Sequence, residues 1–122
     1  MRHLEAVRPS HYADDRGTID TFLPHEPIVE YNVVTIREGQ VRGMHWHPEF
    51  TEYLLFVAGA GVLRSRDIDS EHVAVRLVGP GQSTRAVPGV AHAIEAITDM
   101  TFIAMLTKRW DDCDPPIVRC DI

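Results

Sequence analysis

"GMHWHPEFTEYLLFVAGAG", residues 43–61, sets His45 and His47 one residue apart, Glu52 five positions further on, and a wholly apolar run after that. Successive side chains of a strand leave opposite faces, so a strand here points His45 and His47 the same way and Trp46 the other. Glu52 opens the next strand. A bend at Pro48 that lays this strand antiparallel to the first brings its carboxylate beside both rings. A third imidazole is expected from His92 in "VPGVAHAIEA", residues 87–96, reaching the pair from across a barrel. Taken alone, the His-Trp-His triplet also describes an ordinary polar strand face, so the rest of the chain has to decide its meaning.

The remaining sequence is punctuated for β structure. "GTIDTFL", "IVEYNVVTI", "EYLLFVAG", "GVLRS", "HVAVRLV" and "MTFIAML" are short runs rich in β-branched and aromatic residues. Gly39, Gly43, Gly59, Gly61, the "GPG" at residues 79–81 and the Pro88-Gly89 pair separate them. No stretch of helical length carries an apolar period of 3.6 residues. The fold class expected is all-β, a sandwich or barrel, with one domain over residues 1–122 and a C-terminal "IVRCDI" that folds back as a strand. Leu54, Phe56, Val57, Phe102, Ile103 and Leu106 are expected in the core, and Trp46 and Trp110 are expected to pack rather than stack on a ligand.

Bulk composition excludes several classes. With 122 residues, 44% hydrophobic and 25% charged, the chain has an ordinary globular balance. Twelve Lys and Arg against 18 Asp and Glu give a formal charge of −6, which argues against nucleic acid as a partner. An anionic ligand would need a local basic cluster. Two cysteines, Cys113 and Cys120, are too few for a disulfide framework and are expected as free thiols. The N-terminal "MRHLEAVRPSHY" lacks the apolar core of a signal peptide, and no run approaches the ~20 apolar residues of a membrane span. No membrane is expected as a partner, and residence in the cytoplasm is.

The spacing gives the histidines their meaning. Gly39, five residues, His45, one residue, His47, four residues, Glu52, six residues and Gly59 reproduce the first motif of the cupin superfamily. Gly81, five residues, Val87-Pro88-Gly89, two residues and His92 resemble the second, with Val87 where cupins usually carry proline and Ala96 where they often carry asparagine. The resemblance implies a small single-domain cupin, a jelly-roll β-barrel with its site inside. "DDRGTIDTFL", "YNVVTIREGQVRGMHWH" and "AVPGVAHAIEAITDMTF" narrow it to cupins that modify nucleotide-linked 4-keto sugars. The sequence is similar to the C-terminal cupin domain of the bifunctional capsular-polysaccharide epimerase/reductases, and more distantly to the dTDP-4-dehydrorhamnose 3,5-epimerases and the 3,4-ketoisomerases.

That resemblance implies roles. His45 falls where the 3,5-epimerases hold the histidine that removes a proton next to a ketone. Arg16 and Arg42 match arginines that look like contacts to the nucleotide diphosphate, and Asn32, ten residues before Arg42, also has its counterpart there as an expected substrate-binding residue. His47 replaces a glutamine of the epimerases, which work without a metal, whereas the capsular-polysaccharide domain keeps histidine and binds zinc. The expected ligand set is therefore His45, His47, Glu52 and His92 around a divalent metal, zinc first, with iron, manganese or nickel as alternatives. A coordinated imidazole has no free lone pair, so a metal-bound His45 would leave the base role to another group such as Tyr53. The function expected is epimerisation, isomerisation or elimination on a nucleotide-linked keto sugar. The alternatives are an iron-dependent cupin oxygenase and a non-catalytic small-molecule binder. Unpaired sheet edges of a small barrel point to a homodimer, with the first dozen residues crossing between subunits.

Overall fold

The computed structural model describes residues 5–6 and 10–122. In chain order the strands are β1 (Glu5–Ala6), β2 (Ser10–Asp14), β3 (Gly17–Thr21), β4 (Glu30–Ile36), β5 (Val41–Trp46) and β6 (Glu52–Ala58). They continue with β7 (Gly61–Asp67), β8 (Ala74–Val78), β9 (Ser83–Ala86), β10 (Val90–Ala96), β11 (Met100–Leu106) and β12 (Val118–Arg119). Among the described residues the only helical piece is a 3₁₀ turn at Trp110–Asp112. One antiparallel sheet has the order β1-β9-β6-β11-β4, the other β12-β5-β10-β7-β8, and β2 pairs with β3 in a separate hairpin. This is the jelly roll of a cupin. The folding-back of the tail is also observed, with Val118 opposite Trp46 and Arg119 opposite His45.

Strand alternation builds the core. On β11, Met100, Phe102, Ala104 and Leu106 are buried while the residues between them are partly exposed. On β6, Leu54 and Phe56 point inward, and Phe56 meets Phe102 at a ring-centroid distance of 5.7 Å. Each such buried ring contributes about 1.5–3 kcal/mol relative to exposure. Val57 and Ile103, expected in the core, alternate outward instead, and Val57 is exposed. The segment of residues 47–51 between β5 and β6, with Pro48 in it, matters more for function: the chain leaves one sheet at Trp46 and enters the other at Glu52, so these strands face each other and do not pair.

A bulge sets the direction of the β5 side chains. Ala93 pairs with Gly43 and His92 with His45, so Met44 is an extra residue with φ of 60°. Arg42 and His45 are three positions apart, and unbroken alternation would send them to opposite faces. The extra residue shifts the phase by one, and both line the barrel cleft. Gly43 makes this possible, with φ of 97° and a backbone so close to β10 that a Cβ would lie 2.6 Å from the His92 carbonyl oxygen. Gly43→Ala should therefore cost about 2–4 kcal/mol. Thermal unfolding checks this, with a clearly lowered Tm expected.

Candidate functional site

Three imidazoles converge inside the barrel. His45 ends β5, His47 follows it, and His92 lies directly opposite His45 on β10, so the three offer ligand atoms within 4.8 Å of one another. Glu52 arrives from the facing sheet, and its Oε1 lies 3.3 Å from Nε2 of both His47 and His92. The sequence expectation had these placements reversed: Glu52 is the residue that reaches across the barrel, and His92 is the cross-strand neighbour. The cause is the sheet change between Trp46 and Glu52. His47 and His92 are 2% and 3% exposed, and Glu52 is also buried.

Hydrogen bonds fix where the lone pairs point. His47 donates Nδ1–H to the Pro116 carbonyl at 3.1 Å, and His92 donates Nδ1–H to the Val90 carbonyl at 3.1 Å. A carbonyl only accepts, so both Nδ1 atoms carry the hydrogen and both Nε2 lone pairs face the Glu52 carboxylate. Three electron-rich atoms turned toward one buried point require a cation between them, either protons or a metal ion. Burial works to raise the Glu52 carboxyl, but the ring nitrogens of His47 and His92 outweigh it and hold it well below the usual carboxylate range. Burial, followed by the neighbouring His92 and His47, pushes the His45 imidazole down to about 3. His45 is thus neutral across the physiological range. Its Nδ1 is buried and has no hydrogen-bond partner, which leaves its tautomer unanchored.

The cluster forms the floor of a cleft of about 420 Å³. His45, His92 and Glu52 line it together with apolar walls from Val34, Leu54, Ile94 and Phe102. Arg42, Trp110 and Arg119 line its more exposed rim. Trp110 lines the cleft and packs edge-on to His47 at 6.3 Å and against Phe50 at 6.3 Å. The segment carrying Trp110 crosses the barrel mouth and is pinned at several points. Glu49 accepts from Lys108 Nζ and from the Asp114 backbone N–H, each at 2.7 Å, and Glu30 accepts from the Trp110 backbone N–H at 3.1 Å. The same segment supplies the Pro116 carbonyl that orients His47.

The other expected site residues are distributed differently. Arg42 is in the cleft, its Nε donating to the Thr35 carbonyl at 2.9 Å. Asn32 is exposed and donates to Glu30, and it does not line the cleft. Arg16 sits at the β2–β3 turn, 88% exposed and paired with Asp14. Tyr53 is on the wrong face. Adjacent to Glu52, it leaves the opposite side of β6, where its hydroxyl donates to Glu26 and accepts from the His25 backbone N–H. Arg85 closes that network onto Glu26 at 3.0 Å. Within one chain Tyr53 cannot reach the histidines, so it is withdrawn as the alternative base.

Comparison with known proteins now bears on this geometry. The polysaccharide biosynthesis C-terminal domain family matches residues 12–113. The chain belongs to that family. Among solved structures, the capsular polysaccharide assembling protein CapF from Staphylococcus aureus superposes with a TM-score of 0.72 at 25% identity. That match covers 94% of this chain but only 35% of CapF, so the polysaccharide-biosynthesis domain described here spans about a third of that protein. The dTDP-6-deoxy-D-glucose-3,5-epimerase RmlC from Legionella pneumophila gives a TM-score of 0.75 at 17% identity, covering 87% of this chain and 67% of its own. The 3,4-ketoisomerase QdtA from Thermoanaerobacterium thermosaccharolyticum gives 0.79 at 15%, covering 95% and 86%. The last two likenesses establish the shared fold. A comparison with curated proteins found no match.

For this polysaccharide-biosynthesis domain, sequence reasoning missed Trp110, Arg119 and the Pro116 carbonyl as parts of the site. All three depend on how the tail crosses the barrel mouth. Glu49 was equally silent, although it pins that segment at two points. Glu49→Gln should loosen the Pro116–His47 contact and weaken the affinity of the histidine cluster for an added divalent metal about 10–100-fold if His47 serves as a ligand, the usual effect of disturbing a ligand's supporting hydrogen bond. Metal competition titrations measure this, and Glu49→Asp should recover part of the loss.

Proposed function

We propose that this domain binds one divalent metal ion, zinc by preference, and moves a proton at the carbon next to the ketone of a nucleotide-linked 4-keto sugar. The observation carrying the reading is the convergence of a neutral His45 with His47, His92 and Glu52 at the floor of one cleft. The residues fit a metal. His47 and His92 have their Nε2 lone pairs fixed inward and Glu52 adds a carboxylate, a donor set that catalytic zinc sites use with a position left open. When bound, the ion supplies Lewis acidity beside the carbonyl.

The chain's own residues would do the rest. His45 lines the cleft and lacks the carbonyl anchor of the other two imidazoles, so its lone pair is available to accept the carbon-bound proton. His47, His92 and Glu52 would hold the metal. Val34, Phe102 and Trp110 shield the reacting carbon from water. Arg42 faces the diphosphate. Neighbours support the substrate class: the Legionella epimerase was solved with dTDP-4-keto-L-rhamnose and the ketoisomerase with TDP-4-keto-6-deoxyglucose.

Two histidines and a carboxylate are also the facial set of non-haem iron oxygenases, so the deciding experiment follows both outcomes. Purified protein is incubated with a panel of nucleotide 4-keto sugars under air, with product followed by NMR and oxygen by electrode. Epimer, isomer or alkene without oxygen uptake is expected. Oxygen consumed in step with substrate would transfer the site to the oxygenase class, and tight binding without turnover to the binder class.

The domain is further proposed to act as a cytoplasmic homodimer. Cys113 and Cys120 are free, as suits a reducing compartment, and no described helix is long and apolar enough to cross a membrane. The β2–β3 hairpin exposes Tyr12, Ile19 and the following Leu23, although a lone two-stranded hairpin is marginally stable in water. A second copy would cover it. Most of the dozen N-terminal residues expected to cross between subunits lie outside the described residues.

A further inference from the structure

The chain beyond β11, residues 107–122, is tied to the barrel chiefly by polar contacts, and none of its residues is buried. The Thr107 N–H donates to the Thr51 carbonyl at 3.2 Å and the Cys120 N–H to the Met44 carbonyl at 3.0 Å. The Asp114 and Trp110 N–H groups donate to the Glu49 and Glu30 carboxylates, and the Arg66 guanidinium reaches Cys120 Sγ at 2.8 Å. β12 adds two residues to the sheet beside β5. A segment with exposed hydrogen bonds and no buried apolar side chain opens more readily than the strands beneath it. Yet Trp110, Ile117 and Arg119 of this segment line the cleft. Whether the cleft is fully walled depends on whether the segment is docked.

One contact joins this segment to the histidine cluster. His47 faces two acceptors, the Glu52 carboxylate 3.3 Å from Nε2 and the Pro116 carbonyl 3.1 Å from Nδ1, and a neutral imidazole has one N–H to offer. With the hydrogen on Nε2, a bare Nδ1 would meet the Pro116 carbonyl lone pair to lone pair. A metal ion on Nε2 leaves Nδ1 as the only place for the hydrogen, and its charge makes that N–H a stronger donor. His92 is placed alike, with the Val90 carbonyl in the role of Pro116, but Val90 is fixed within β10 and 0% exposed, whereas Pro116 can move with its segment. Resting on the metal reading above, we infer that residues 107–122 form a metal-gated strap: an ion held by His47 docks the strap through the Pro116 carbonyl, and the docked strap completes the cleft wall with Trp110, Ile117 and Arg119. The coupling is reciprocal, so docking tightens metal binding by the factor by which metal favours docking. A ligand's supporting hydrogen bond changes metal affinity about 10–100-fold, which sets the scale of both effects.

Amide hydrogen exchange, followed by NMR on the full chain with zinc bound and after its removal by a chelator, reads the strap directly. Zinc should slow exchange of the Trp110, Asp114 and Cys120 amides at least about tenfold. The reciprocal arm uses Cys120→Pro, which removes the N–H that ties the end of the strap to Met44 and lies outside the histidine cluster and the core. This variant should speed Asp114 exchange and weaken zinc at least about fivefold in a competition titration, whereas Cys120→Ala, which keeps the N–H, should stay within about twofold of wild type. A general stiffening of the barrel by zinc would slow exchange without making zinc affinity depend on the Cys120 N–H. Strap amides that exchange alike with zinc bound and removed, or a Cys120→Pro strap that opens with zinc affinity unchanged, overturn the inference. Tightly bound zinc with no effect on the strap leaves the metal site standing and removes only the gating, while a wild type that binds no zinc removes both.

Discussion

His47→Ala should release the metal proposed for the histidine cluster. Structural zinc sites bind with roughly 10–16 kcal/mol through four protein ligands, so one ligand corresponds to about 2.5–4 kcal/mol, or about a hundred- to thousandfold in affinity. The loss at this position should reach the upper end. His47 is buried against Phe50 at a centroid distance of 4.3 Å, and its Nε2 is held toward Glu52 by the Pro116 contact, so no mobile group can replace it. Elemental analysis after dialysis should find close to one metal ion per wild-type chain and almost none in the variant. His47→Gln keeps the volume and a polar end and should retain the fold by circular dichroism while still losing metal. Full metal occupancy in both variants would break the assignment of this cluster.

His45→Asn should slow proton transfer by at least about a hundredfold, the scale of losing a positioned general base. Burial and the neighbouring rings keep His45 deprotonated but also weaken it as a base, so the base role requires that negative charge developing on the substrate raise its affinity for the proton. Asparagine is close in size and cannot take up the proton, so KM should change much less than kcat. Metal content of the same variant separates two roles for this imidazole. Retained metal with lost turnover identifies a base, and lost metal identifies a fourth ligand. Single-turnover kinetics beside elemental analysis gives both numbers from one preparation.

The site was legible in sequence to the extent that it is local. Glycine and histidine spacing over residues 39–59 predicts the barrel, and the four cluster residues do meet. What the spacing does not carry is which sheet each strand joins. Glu52 follows His47 closely in the chain and reads as its lateral neighbour, while the sheet change between them makes it the residue opposite. His92, distant in sequence, is the neighbour. Tyr53 and Val57 were misplaced for a simpler reason: once Glu52 faces inward, alternation along β6 already turns both outward. Arg42 and His45 sit on one face only because of the Met44 bulge, which no alternation rule foretells. Arg119 depends on the longest return of the chain, a two-residue strand whose pairing is fixed by contacts to Met44, Gly43 and Arg66 rather than by any motif.

Hydrogen exchange at carbon tests the central claim most directly, because it reports proton removal whether the product is epimer, isomer or alkene. A nucleoside diphosphate 4-keto sugar is held in deuterated water with zinc-loaded protein, and the hydrogens flanking the carbonyl are followed by proton NMR. The account predicts that wild type places deuterium at one of those carbons far faster than buffer, and that His45→Asn does not. A panel of such sugars showing no exchange above buffer, with the metal site fully occupied, would contradict it.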